Sequence, residues 1–186
     1  MVNTKNFNWT TGLFIIGYHL LLFILLPVYL STRTPSLGIV CTAIIVGITA
    51  NLTITTGYHR LFAHRAYNAS GIGEAAILGL GTLAVQGSAL DWAHDHRLHH
   101  RYVDTEKDPY SIKKGFWHAH MGWLFRKGKI IDEKVIPDLM GKKAVVFQHK
   151  HYALLMILAN LVVVLIAGWI FHDFFGAVVL VFLARL

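Results

Sequence analysis

An all-α integral membrane protein is the fold class this sequence predicts, and three observations predict it. Of its 186 residues, 55% are hydrophobic and only 15% are charged, whereas soluble domains carry about a quarter charged residues. The apolar residues fall in blocks: 12–30, 37–56 and 153–171 each hold 19 or 20 residues without a charge. A helix needs about 20 such residues to cross a hydrocarbon core of about 30 Å. The rest of the chain differs in kind, because 14 of the 17 Lys and Arg, and ten of the 12 His, lie between positions 58 and 151.

The first block, 12–30, has no clear basic leader and no Ala-x-Ala site, and Pro27 is followed by Val28, Tyr29 and Leu30. It therefore reads as a retained membrane helix rather than a cleaved signal. A polar turn, 31–36, leads to the second helix, 37–56. The single cysteine, Cys41, lies inside it, which excludes an intramolecular disulfide and a cysteine-based structural zinc site. Residues 57–151 form the long polar segment. Within it, 72–90 is long enough to span and carries only Glu74, but Gly71, Gly73, Gly79, Gly81 and Gly87 weaken it as a lipid-facing helix. Crossing would also place the histidines before and after it on opposite sides. It is expected to lie at the interface or buried, without crossing. A third membrane helix, 153–171, is followed by a turn at His172 and Asp173. A fourth, 174–186, has about a dozen residues, too few to cross. The chain reads as one domain, 1–186.

The formal charge of +7 is read by its position. Basic residues concentrated in 57–151 place that segment in the cytoplasm by the positive-inside rule, and the N-terminus with it. Phosphate-bearing substrates are a second use for those cations. Nucleic acid is not expected.

The chemistry lies in the histidines. His59 and His64 stand five apart at the end of the second helix. Five α-helical residues turn about 500°, leaving the pair about 140° apart, so both reach one site only where the helix ends or loosens. His96, His99 and His100 occupy positions i, i+3 and i+4, which share one helical face. Neutral imidazole suits iron, zinc and copper, and five imidazoles exceed what one zinc usually takes, which favours two metals. The His-Glu-x-x-His pattern of zinc proteases is absent.

The runs GYHRLFAHRAY (57–67), WAHDHRLHHRYVDTEKDPYS (92–111) and GFWHAHMGW (115–123) resemble those of the membrane-bound acyl-CoA delta-9 desaturases, the stearoyl-CoA desaturase family. The resemblance covers nearly all of the chain. It implies four membrane helices under a cytoplasmic histidine-rich cap and a di-iron centre, which zinc can replace on heterologous expression. It also implies insertion of a cis double bond into a saturated acyl chain with O2 and an external electron donor, such as cytochrome b5, ferredoxin or rubredoxin. His59 and His64 match the first histidine box, and His96, His99 and His100 the second. The family's third box lies beyond its fourth helix, so the chain is expected to be the N-terminal part of a desaturase, cut within that helix and inactive alone.

Smaller assignments follow. Asp95, one turn before His99, is expected either to orient its ring or to be an exposed cap carboxylate. His120 is expected to support the site rather than ligate. Lys113, Lys114, Arg126 and Lys127 resemble positions that meet CoA phosphates, with membrane orientation as the equally simple reading. Ala43 and Gly47 lie on the face of the second helix below His59, where they either make room for the acyl chain's methyl end or allow close helix packing. The rival functions are a histidine-box membrane hydroxylase or alkane monooxygenase, and a non-enzymatic metal-binding or transport protein. The last would place ionisable ligands at the bilayer midplane, where only His19 lies deep in a span.

Overall fold

The computed structural model describes residues 7–128 and 130–186. The N-terminus, which entered the orientation argument, lies outside the described residues. Among those described, the fold is helical, and strand pairing is confined to an isolated bridge between Phe7 and Arg126.

Three helices are long and apolar enough to cross a membrane: Trp9–Thr32, Leu37–Ala63 and Tyr152–Ile170. The first is α1, capped by Asn8, whose side chain accepts from Thr11 N–H. The second is α2; Ser36 caps it in the same way. Its first stretch, Leu37–Thr53, is α-helical and continues as π-helical turns over Ile54–Ala63. This corrects the expected end near position 56: the helix does not stop at the polar boundary but unwinds and carries His59 with it.

The 72–90 segment is not one helix. α3, Gly71–Thr82, has 12 residues, a length of about 18 Å at 1.5 Å per residue, well short of the bilayer core. Val85 and Gly87 then take positive φ, 58° and 89°, and Ser88 caps α4, Ala89–Tyr102. The glycines of α3 have a packing reason. A Cβ on Gly81 would lie 2.8 Å from Tyr58 Cζ, and one on Gly57 of α2 would overlap Ile77 of α3. Bare backbone on both helices lets α3 seat against the π-helical turns.

Short helical turns follow, α5 (Phe116–His120) and α6 (Pro137–Met140), then α7 (Lys143–Lys150) and the membrane helix α8 (Tyr152–Ile170). The last element, α9, covers Phe174–Arg185 and is shorter than a span. Its first turn is held by Asp173, which accepts from Gly176 N–H, from Tyr29 O–H at 2.6 Å and from Arg33 at 3.2 Å. One apolar core gathers Tyr58, Phe62, Leu90, Ala93, Ile136, Leu139 and Val145 around α2, α4 and α7. A smaller one joins Ile39, Ala167, Ala177 and Val181.

Candidate metal centre

The π-helical winding resolves the angular difficulty of His59 and His64. His64 N–H donates to His59 C=O at 2.9 Å, a five-residue closure that stacks residue i+5 nearly over residue i. The two rings meet edge-on with centroids 4.5 Å apart. On α4, His96 and His100 lie one turn apart with centroids at 4.6 Å.

Arg97, between them in sequence, points the other way and joins α4 to the end of α2. It donates to Phe62 C=O at 2.7 Å, Ala63 C=O at 3.0 Å and Val135 C=O at 3.0 Å. It also donates to both carboxylate oxygens of Asp138, at 2.7 and 3.0 Å. The Phe62 and Ala63 carbonyls are at a helix C-terminus, where no intrahelical donor remains. Gln148 of α7, 3% exposed, ties the same elements from beneath. Its amide reaches Tyr58 O–H at 2.6 Å and Thr82 Oγ1 at 3.1 Å, and its carbonyl accepts Ala89 N–H at 3.0 Å.

Four imidazoles result at one point. The donor nitrogens of His59, His64, His96 and His100 all lie within 4.8 Å of one another. His96 Nε2 is 3.0 Å from His64 Nε2 and 3.1 Å from His100 Nε2. Nitrogens bound tetrahedrally to a common ion at about 2.0–2.1 Å stand about 3.3–3.4 Å apart. The His96 pairs lie near that spacing while the whole set extends to 4.8 Å, so the four rings could close on a metal with small adjustments. Burial, then the neighbouring His59, His100, His64 and His99, push His96 down to about 3. Burial, then His59, His100 and Arg97, also lower His64. Both therefore stay neutral at physiological pH, the state in which imidazole ligates.

The other expected residues are placed differently. His99 is outside the four-nitrogen group; its Nδ1 lies 3.0 Å from Asp108 Oδ1 and its ring packs 4.5 Å from Tyr110. Asp95 does not orient it. Asp95 instead meets His94 Nδ1 at 3.0 Å, while His94 Nε2 accepts Asp132 N–H at 3.0 Å. With both nitrogens committed, His94 cannot ligate although it stands only two residues before the second box. His120 stacks on Phe116, with centroids 5.6 Å apart, rather than against the four histidines.

Lys114, Arg126 and Lys127 line a cleft of about 430 Å³ together with Asp91, Asp95 and Asp108. Lys113 is not among the lining residues. Ala43 and Gly47 line a groove of about 490 Å³ between α2 and α9 with Ile44, Ile48, Asn51 and Leu180, and its lining contains no histidine. A larger cleft, about 770 Å³, touches His96 and is lined by Trp92 and Tyr110 and by Phe14, Ile15 and Tyr18 of α1.

Sequence reasoning passed over Arg97, Asp108, Asp138 and Gln148. Arg97 had a signal, since it is the charged residue between His96 and His99 in the second box. Asp138 and Gln148 had none, because their partners are distant in the chain.

A family model, Fatty acid desaturase, matches residues 35–186. The chain is 42% identical over 131 residues to acyl-CoA desaturase 1 of Saccharomyces cerevisiae, covering 69% of this chain and 26% of that protein. It is 32% identical over 167 residues to the sn-1 stearoyl-lipid 9-desaturase of Anabaena variabilis, covering 88% and 60%. It is 36% identical over 123 residues to stearoyl-CoA desaturase 5 of Bos taurus, covering 63% and 37%. The chain thus spans between about a quarter and three fifths of the length of these relatives. A match running from the start of α2 to the last residue takes in both histidine pairs that converge here, and on that ground the chain belongs to the fatty acid desaturase family.

Proposed function

We propose that this chain carries the first two histidine boxes of a multi-pass membrane desaturase that inserts a cis double bond, at delta-9, into a long saturated acyl chain. The observation that carries the reading is the convergence of His59, His64, His96 and His100. Iron is the metal the reading assigns to them, with His99 offered to a second iron. Bound iron supplies O2-dependent removal of hydrogen from an unactivated CH2, which no side-chain base can deprotonate. The chain's own residues do the rest. Neutral imidazoles would hold the metal, Arg97 and Asp138 fix α4 against α2, and the cleft at His96 offers Phe14, Ile15, Tyr18 and Trp92 as apolar walls for an acyl chain.

The cations Lys114, Arg126 and Lys127 suit the phosphates of an acyl carrier such as CoA, and Lys113 lies beside them in sequence. The groove at Ala43 and Gly47 is assigned to the methyl end of the chain. Ala43→Phe then shifts preference to shorter substrates with activity on them retained. Uniformly reduced turnover with an unchanged chain-length profile rejects that assignment. The histidine face is assigned to the cytoplasm, where an external carrier delivers electrons.

The test is expression of the whole desaturase whose first two boxes this chain carries, in a host lacking its own desaturase, with gas chromatography of total fatty acids and iron analysis of the purified protein. His96→Ala is expected to lose both the olefinic product and bound iron while remaining in the membrane. A fully active His96→Ala sinks the reading, and hydroxylated acids in place of olefins select the hydroxylase.

A further inference from the structure

We propose that Asp108 is the positioning residue for His99: it fixes the imidazole with its proton on Nδ1 and turns Nε2 out as a metal ligand separate from the four-histidine group. The proposal rests on the metal reading above and deepens it at a residue that reading does not use.

The geometry is explicit. The Asp108 side chain is 0% exposed. Its Oδ2 accepts Asp104 N–H at 3.0 Å, and its Oδ1 accepts Tyr110 N–H at 3.1 Å while facing His99 Nδ1 at 3.0 Å. An ionised carboxylate only accepts. The proton in the contact with His99 must therefore come from the imidazole, which puts it on Nδ1 and leaves the lone pair of the neutral ring on Nε2. Tyr110 packs against the ring at 4.5 Å, so the imidazole is held on its face as well as at its edge.

The loop is shaped to deliver this carboxylate. Asp104 takes a left-handed φ of 56°, a conformation Asp tolerates better than most residues, and there its N–H meets Asp108. Lys114 secures the same turn from outside, its ammonium 3.2 Å from Asp108 C=O.

Three described histidines meet a carboxylate: His94, His99 and His149. His94 also spends its second nitrogen, on Asp132 N–H. His149 contacts Ser88 and Asp91 at the α7–α4 junction, away from the second box. His99 alone of the box's expected ligands combines a buried carboxylate on one nitrogen with an uncommitted second nitrogen. That is the arrangement in which an outer carboxylate raises ligand basicity, and its loss typically costs about 10–100-fold in metal affinity.

The experiment uses the purified whole desaturase whose first two boxes this chain carries, with Co2+ as the probe, comparing wild type, His99→Ala, His96→Ala and Asp108→Asn. The His99-dependent Co2+ is the equivalent lost in His99→Ala. Asp108→Asn is expected to weaken that equivalent about 10–100-fold and leave the His96-dependent one unchanged. A second readout needs no metal: ¹⁵N spectra of the histidine rings are expected to show His99 as the Nδ1–H tautomer in wild type and as a mixture in Asp108→Asn. Normal Co2+ uptake in Asp108→Asn, or a His99-independent Co2+ count, overturns the proposal. Should Asp108→Asn fail to fold, an Nε2–H tautomer at His99 in wild type overturns it equally. Failure of the metal reading is distinguishable, because then wild type takes up no Co2+ at either site.

Discussion

Removing Arg97 should dismantle the link between the two histidine pairs. Its guanidinium, 13% exposed, makes five contacts: three backbone carbonyls at 2.7–3.0 Å and both oxygens of Asp138. Arg97→Met keeps much of the side-chain volume but removes every donor. Phe62 and Ala63 carbonyls lose their partners, and Asp138, 30% exposed, keeps Arg65 at 2.8 Å as its remaining cation. Breaking one side of a buried ion pair costs about 3–5 kcal/mol. The partial exposure of Asp138 argues for the lower end, about 3 kcal/mol. At about 2–4 °C per kcal/mol for a chain of this size, the unfolding midpoint in detergent should fall by about 6–12 °C. Asp138→Leu in the same background should cost little more, since the pair is already broken. A midpoint within about 1 °C of wild type would refute the argument, as would full additivity of the two substitutions.

Other outcomes follow from the same packing. Gln148→Leu should destabilise by about 1–3 kcal/mol by leaving Ala89 N–H without its acceptor, whereas Tyr58→Phe should cost less in chemical unfolding, because Gln148 keeps Thr82 and Leu78. Gly81→Leu should push α3 off Tyr58 and lower stability by about 1–3 kcal/mol, and unchanged proteolysis kinetics of the α3 region would contradict the close approach. At Asp138, burial raises the carboxyl, but the Arg97 hydrogen bond and the charges of Arg97 and Arg65 outweigh it and hold it below the usual range. A depressed carboxylate adds stability above its unfolded value, about pH 3.9, and loses it as pH falls through the folded value. The difference in midpoint between wild type and Asp138→Asn should therefore be constant above about pH 5 and shrink below about pH 4; a difference that widens on acidification reverses the sign and rejects it.

Much of this protein was determined by its sequence alone. Charge-free blocks of bilayer length mark membrane helices because lipid admits few other elements, and α1, α2 and α8 fall on them. The spacing of His96 and His100 places them on one face because helical geometry is local. The tertiary structure decided what depends on partners distant in the chain. The sequence showed that His59 and His64 converge only if the helix loosens, but the loosening itself needs α3 against Gly57, Arg97 on the Phe62 and Ala63 carbonyls, and Gln148 beneath Tyr58. A π-helical stretch is unfavourable in isolation and persists where surrounding contacts hold it. Likewise the sequence offered Asp95, one turn from His99, as its orienting carboxylate, whereas a bent loop delivers Asp108. Spacing along a helix fixes which face a residue shares, but which carboxylate arrives at that face is set by the path of the chain after the helix ends.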